Sequence, residues 1–342
     1  MAIDTNIKTF DECLALRVEG KATHLMLGNG FSMDIFPEIF NYRTLAENIT
    51  SERIRNLFAQ IDTNDFEFVM RRLFEADEII EHYPDTDGLS ESLNSDLESL
   101  KNTLIQVITD CHPSRPSEIS EAQYESCHAF FSNFDGKKYT FNYDLLLYWV
   151  YMHFLEDDER KLPFDDGFRY GDIEQDLSVF WEIGRERSQS IYYVHGAMHI
   201  FSDGAAIEKL SYNNIGVPLS EQVREAVGNN KFPVFISEGT TEHKLTRIKK
   251  NAYLARAFSS LKSIGGNLFI FGHSIRDEDD HIFDYFNENN SGVKKVFISL
   301  FGDVNSAANQ AIIQKVTGWS VRFTRKDFYF YDSATAMVWS RP

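Results

Sequence analysis

A chain of 342 residues, 43% of them hydrophobic, can bury a substantial core and is long enough for one large domain or two moderate ones. Thirty-four Lys plus Arg stand against 52 Asp plus Glu, and the formal charge of -18 repels phosphate backbones and anionic membranes, so neither nucleic acid nor a membrane is an expected partner. No charged and apolar leader opens the sequence and no run of about 18 apolar residues could span a bilayer, which points to a cytoplasmic protein. Cys13, Cys111 and Cys127 are odd in number and lack C-x-x-C spacing, so they imply neither a disulfide framework nor a cysteine zinc site.

Short apolar runs at 24–27, 139–141, 191–194, 232–236, 267–271 and 295–300 read as strands, several of them followed by Gly or a polar turn and then a helical pattern. A parallel strand is buried on both faces and needs a crossover to return, so the alternation predicts an α/β fold. The expectation is a Rossmann-like parallel sheet with helices on both faces. Residues 43–133 break the alternation. Phe66, Val69, Met70, Leu73 and Phe74 fall at three- and four-residue spacing, which predicts amphipathic helices inserted between the first and second strands. No internal repeat or low-complexity linker divides the chain, so residues 1–342 read as a single domain carrying an α-helical insertion.

Four stretches could carry chemistry. In HLMLGNGFSMD, residues 24–34, an apolar strand runs into Gly28-Asn29-Gly30-Phe31-Ser32. Such a loop can let backbone approach a pyrophosphate, or it can be a tight turn without a ligand. In YTFNYDLLLYWV, residues 139–150, Asn142 falls at the carboxyl end of a strand, where open parallel sheets place ligands. Asn142 can orient a water or a ribose hydroxyl, or close an Asx turn; Asp144 can simply cap the following helix.

In IYYVHGAMHIF, residues 191–201, His195 also belongs at a strand terminus. A metal shared by His195 and His199 would need a helix that Gly196 disfavours, so no metal ligand is assigned there. In LFIFGHSIRDEDDHIF, residues 268–283, Gly272 and Ser274 precede a helix that opens on Asp277 to Asp280. Consecutive carboxylates on a helix point in different directions, which argues against a magnesium cluster and for a solvated first turn.

Taken in order, Gly28-Asn29-Gly30-Phe31-Ser32, Phe141-Asn142-Tyr143-Asp144, Val194-His195-Gly196 and Phe271-Gly272-His273-Ser274 resemble the glycine loop, N-x-D, H-G and G-x-S motifs of sirtuin-like domains. The chain is similar to the sirtuin-like NAD hydrolases of bacterial antiphage defence from about residue 20 to 325, with DFEFVMRRL and PVFISEGTTEHKLTRIKKNAYL similar to a stand-alone subfamily. The resemblance implies that Gly28, Gly30, Phe31 and Ser32 hold the pyrophosphate side of NAD and that Asp144 contacts the nicotinamide ribose. It implies that Asn142 and His195 are catalytic, and that Gly272 and Ser274, with Gly302 and Asp303, hold the adenosine half.

Protein deacylases of this kind carry a zinc module of two cysteine pairs, which three scattered cysteines cannot supply. The expected activity is therefore metal-independent NAD glycohydrolysis, with water as nucleophile, NAD as substrate and no further cofactor. In this family the activity depletes NAD during abortive infection. A hydrolase of this kind left on would be toxic to its host, so a gate is expected, through a homo-oligomer, a second defence-system protein, or both. The stand-alone form is similar to effectors of Kongming-type systems, which implies a nucleoside-triphosphate pyrophosphatase-like subunit as partner. The alternative is a nucleotide-binding regulatory or scaffold subunit that catalyses nothing.

Overall fold

Seven strands form one fully parallel sheet: β1 (Ile3–Lys8), β2 (Thr23–Leu27), β3 (Lys138–Thr140), β6 (Ile191–Tyr193), β10 (Gly265–Phe271), β11 (Gly292–Leu300) and β12 (Asp327–Asp332). In this computed structural model the described residues are 3–80, 82–83, 88–170, 179–184, 188–202, 206–211, 217–229, 231–236, 241–287 and 291–340. The spatial order is β1-β12-β11-β10-β2-β3-β6, with every neighbouring pair parallel. Numbered by entry after β1, the six other strands follow the doubly wound 3-2-1-4-5-6 order, which reverses between β2 and β10. Chain direction diverges there, and the carboxyl ends of β2 and β10 open a crevice.

The apolar runs predicted this sheet well, because a parallel strand covered on both faces is mostly apolar; buried polar exceptions, among them Thr23, His24, Lys138, Thr140 and Asn267, fall at or near strand ends. Every residue of β2 is buried, and so is every residue of β10 after Gly265. Two sheet strands were not anticipated. β1 reads IDTNIK and is an edge strand with one sheet neighbour, so polar residues are tolerated. β12 reads DFYFYD, a short aromatic alternation between acids.

Between β2 and β3 the described residues form the short helix Gly30–Ile35 and then five more, Tyr42–Glu47, Glu52–Ile61, Phe66–Ile80, Leu89–Cys111 and Glu121–Phe131; the third of these five carries the predicted spacing. Side-chain caps start several of them: Ser51 accepts from the Ile54 N–H, and Ser120 with Gln123 makes a reciprocal capping box. Phe66, Val69, Met70 and Leu73 are the buried face of the third helix, as their spacing predicts.

One strand assignment needs correction. The run 232–236 does not join the parallel sheet. It supplies β9 (Pro233–Phe235) to a second, antiparallel sheet with β4 (Phe168–Tyr170), β5 (Val179–Trp181), β7 (Gly196–Ser202) and β8 (Ile207–Lys209), in the order β4-β5-β8-β7-β9. The chain leaves the parallel sheet at Gly196, whose φ is +90° and whose added Cβ would lie 1.9 Å from the Val234 carbonyl oxygen. Only glycine allows the strand carrying His195 to end and turn against β9 there. Buried side chains of both sheets belong to one continuous core. Among the described residues, no helix is long and apolar enough to cross a membrane.

Candidate active site

A cavity of about 680 Å³ lies at the crevice between β2 and β10. It is of the size that holds small molecules and cofactors. Asn142, Asp144, His195, Gly30, Gly272 and Ser274 line it. Leu45, Glu67, Leu104 and Ile108 also line it, so the helices between β2 and β3 build part of the wall.

β3 and β6 are paired in register at Thr140 and Tyr193, and the Val194 N–H donates to the Thr140 carbonyl at 3.0 Å. Two residues beyond each strand end, Asn142 and His195 therefore reach the same cavity. The Phe141 ring stands edge-on to the His195 ring at 4.9 Å and to the His273 ring at 4.3 Å, fixing both imidazoles against an apolar surface.

Asn142, Ser32 and Asp144 form a buried chain. Asn142 Nδ2 donates to Ser32 Oγ at 2.9 Å, and Ser32 Oγ donates to Asp144 Oδ2 at 2.5 Å. Asp144 Oδ1 accepts from the Leu146 N–H at 2.9 Å, the first N–H of the helix Leu146–His153; the N-cap position itself is Leu145, so the predicted cap is replaced by a turn that closes just ahead of it. The turn to Leu146 and the bond to Ser32 thus use different oxygens of Asp144. Burial pushes the Asp144 carboxyl up to about 6, against the lowering effect of the Ser32 and Leu146 hydrogen bonds. The Asn142 amide closes no Asx turn; one N–H and its carbonyl oxygen face no protein partner among the described residues.

The glycine loop sits differently from its sequence reading. A Cβ on Gly28 would meet the Gly272 carbonyl oxygen at 2.6 Å, and one on Gly30 would meet Gly272 Cα at 2.5 Å. The Gly28 N–H donates to Phe271 O at 2.9 Å and the Gly30 N–H to Gly272 O at 2.8 Å. Close approach between the loops after β2 and β10 is what demands these glycines in the ligand-free chain. Phe31 is 1% exposed and packs on Trp339, and Ser32 is 0% exposed, so both lie beneath the cavity floor. Asp303 is exposed and lies outside the lining; its carboxylate accepts from the Asn305 N–H. Phe301 and Asn309 line that end of the cavity instead.

Around His195 stands a cluster that the motifs did not reveal. His195 Nε2 lies 3.1 Å from His281 Nε2 and 3.8 Å from Asp279 Oδ1. Asp279 Oδ2 is 3.4 Å from His273 Nε2, and Lys244 bridges Asp279 (3.4 Å) to Glu67 (3.1 Å). His281 Nδ1 faces the Glu278 carbonyl at 3.1 Å. A carbonyl can only accept, so the neutral His281 ring carries its proton on Nδ1. Its Nε2 then accepts from His195 Nε2–H, and the His195 lone pair is left on Nδ1.

Burial holds both imidazoles neutral: His281 is pushed down to about 4, and His195 well below its ordinary value. Burial opposes the charge on Asp279, but the Lys244 ammonium and the hydrogen bond from His273 outweigh it and hold that carboxyl well below the usual range. The Glu67 carboxyl is raised, chiefly by burial.

The acidic run is only partly the solvated first turn expected of it: Asp277 is exposed, but Asp279 and Glu278 are 13% and 15% exposed and turn to partners in the protein. Asp277 and Asp280 pair with Lys315, Glu278 pairs with Arg71, and only Asp279 turns to the histidines. Just before this run, Ile275 has φ +52°, a left-handed conformation costly for a β-branched residue, between His273 and Arg276 of the cavity wall. His199 is on β7, near the rings of Tyr148 and Tyr193, and is not His195's partner.

A family model covers this whole arrangement, matching residues 25–339. The chain belongs to the DUF4917 family. That family is described as a domain of unknown function, and its match runs from within β2 to the Trp339 that packs on Phe31. No curated protein matches the sequence. For this DUF4917 chain the site itself must carry the functional argument. Cys13, Cys111 and Cys127 are free thiols, and burial raises the pKa of all three, so none is a ready nucleophile.

Proposed function

We propose that the chain is an NAD glycohydrolase that uses water to break the bond between nicotinamide and ribose, releasing nicotinamide and ADP-ribose. The supporting observation is the meeting of Asn142 and His195 from paired strand ends in one cavity at the sheet's switch point. The order of the four sirtuin-like motifs supplies the choice of NAD.

Departure of nicotinamide leaves an oxocarbenium-like ribose, so the site must hold the sugar, place a water and accept a proton. Asn142 has an N–H and a carbonyl oxygen to offer while its other N–H is anchored on Ser32. His195 is a neutral acceptor whose lone pair lies on Nδ1; a matched general base is worth on the order of 10²- to 10⁴-fold, and the burial that lowers the His195 pKa makes it a weaker base than that. The Asp144 carboxylate, fixed by Ser32 and Leu146, would face developing positive charge. Gly272, Ser274 and the Phe301 ring suit the adenosine half, and Arg276 at the wall, whose guanidinium pairs with Asp65, would have to share its donors with the pyrophosphate.

The resemblance extends the proposal to a cytoplasmic role in antiphage abortive infection, with activity gated by self-assembly or a second defence protein. Purified chain incubated with NAD, alone and with proteins encoded beside it, tests this by nicotinamide release. Intact NAD under every condition in which the chain is folded and assembled would overturn it. Binding of ADP-ribose without turnover would favour the non-catalytic nucleotide-binding subunit.

A further inference from the structure

We propose that His195, His281 and Asp279 form a binding site for one divalent transition-metal ion of the zinc and cobalt type, and that metal occupancy and the base role of His195 exclude each other. The second half of this statement rests on the NAD reading; the first does not.

The three donors already surround a point. One nitrogen of each ring and one oxygen of Asp279 all lie within 4.8 Å of one another, with the two Nε2 atoms 3.1 Å apart and His195 Nε2 3.8 Å from Asp279 Oδ1. Tetrahedral ligands at about 2.0 to 2.1 Å from zinc stand about 3.3 Å from each other, so small rotations suffice to close the set. The outer contacts are of the kind that orient metal ligands. The Glu278 carbonyl holds His281 Nδ1–H and so turns the Nε2 lone pair inward, while His273 holds Asp279 Oδ2 and leaves Oδ1 toward the rings. Lys244 is the opposing charge, 3.4 Å from Oδ1, and Glu67 at 3.1 Å offsets it.

Two imidazoles with one carboxylate favour zinc, cobalt or nickel over magnesium or calcium, which prefer all-oxygen sites. Three protein ligands leave a position open toward the cavity that His195 and Asp279 line. The proton balance gives the ion its consequence. In the metal-free chain one proton lies between the two Nε2 atoms, on His195. Coordination of both Nε2 atoms expels it to Nδ1 of the same ring, where it occupies the lone pair that would serve as base.

The test uses the full chain, stripped with a chelator and titrated with zinc by calorimetry and with cobalt by visible absorption. One equivalent should bind, and His281→Ala and Asp279→Asn should each weaken binding at least about tenfold, while His128→Ala, far from the cluster in sequence, leaves it unchanged. Equal binding by wild type and both variants, or no stoichiometric binding by wild type, overturns the site. If His281→Ala fails to fold, the His195 and His281 imidazole signals of wild type decide the question: they should shift on adding zinc, and unmoved signals overturn the site. Zinc should also stop NAD cleavage and chelator restore it. Stoichiometric binding with undiminished cleavage overturns the mutual exclusion alone, and a metal-free chain that cleaves no NAD overturns the functional reading without touching the metal result.

Discussion

The hydroxyl of Ser32 donates to Oδ2 of Asp144 at 2.5 Å, joining the helix Gly30–Ile35 to the turn that leads from β3 into the helix Leu146–His153. Both groups are buried, and the carboxyl's ordinary value of 3.8 rises to about 6. Between those values the folded chain holds a proton that the unfolded chain has released. The stability contributed by this group is full below about pH 4 and is lost as pH rises through about 6, a change on the order of 3 kcal/mol. Asp144→Asn should remove that component. Urea unfolding of both proteins from pH 4 to 7 checks it; parallel stability curves would refute the assignment.

Asn142→Ala should abolish nicotinamide release and leave the fold in place. The lost amide bond to Ser32 should cost about 1 kcal/mol, since Ser32 keeps its bond to Asp144. Thermal unfolding measured beside NAD turnover separates the two effects, and a variant that melts far earlier than wild type would make the amide structural.

Gly30→Ala should destabilise the chain even without any nucleotide. Its Cβ would fall 2.5 Å from Gly272 Cα, a backbone atom that cannot move aside. A loss of about 2 kcal/mol or more in the NAD-free protein is expected from such overpacking. If Gly30→Ala matched wild type when NAD-free and lost only NAD binding, the glycine would exist for the ligand.

Lys244→Met leaves the Asp279 carboxylate, 13% exposed, without its buried cation, and removing one member of such a pair costs up to about 3 to 5 kcal/mol. Glu67 softens the loss, because its raised carboxyl can take a proton. The double variant Lys244→Met with Glu67→Gln should therefore lose no more than Lys244→Met alone. A double-mutant cycle by chemical denaturation measures the coupling, and strict additivity would show the two residues act independently.

Much of the fold was legible because its signals are local. A buried parallel strand shows itself in a short consecutive apolar run, and helix caps and tight turns are written in neighbouring residues, so β2, β3, β6, β10 and β11 could be read directly. The strand-end positions of Asn142 and His195 followed from those runs. β9 was misplaced because an apolar run does not say which sheet it joins; the turn at Gly196 decides that, through contact with Val234.

What the sequence alone determined is the α/β class, the strand termini and the residue types gathered there. Only the tertiary structure decided that the glycines of the first loop meet Gly272, that Ser32 joins Asn142 to Asp144, and that His281 and Asp279 rather than His199 stand beside His195. The physical reason is chain separation. Each of these contacts joins segments from 84 to 112 residues apart, or further, across crossovers whose hydrophobic pattern specifies burial but not neighbours. Which neighbours meet is set by the strand order, and that order is a property of the packed sheet as a whole.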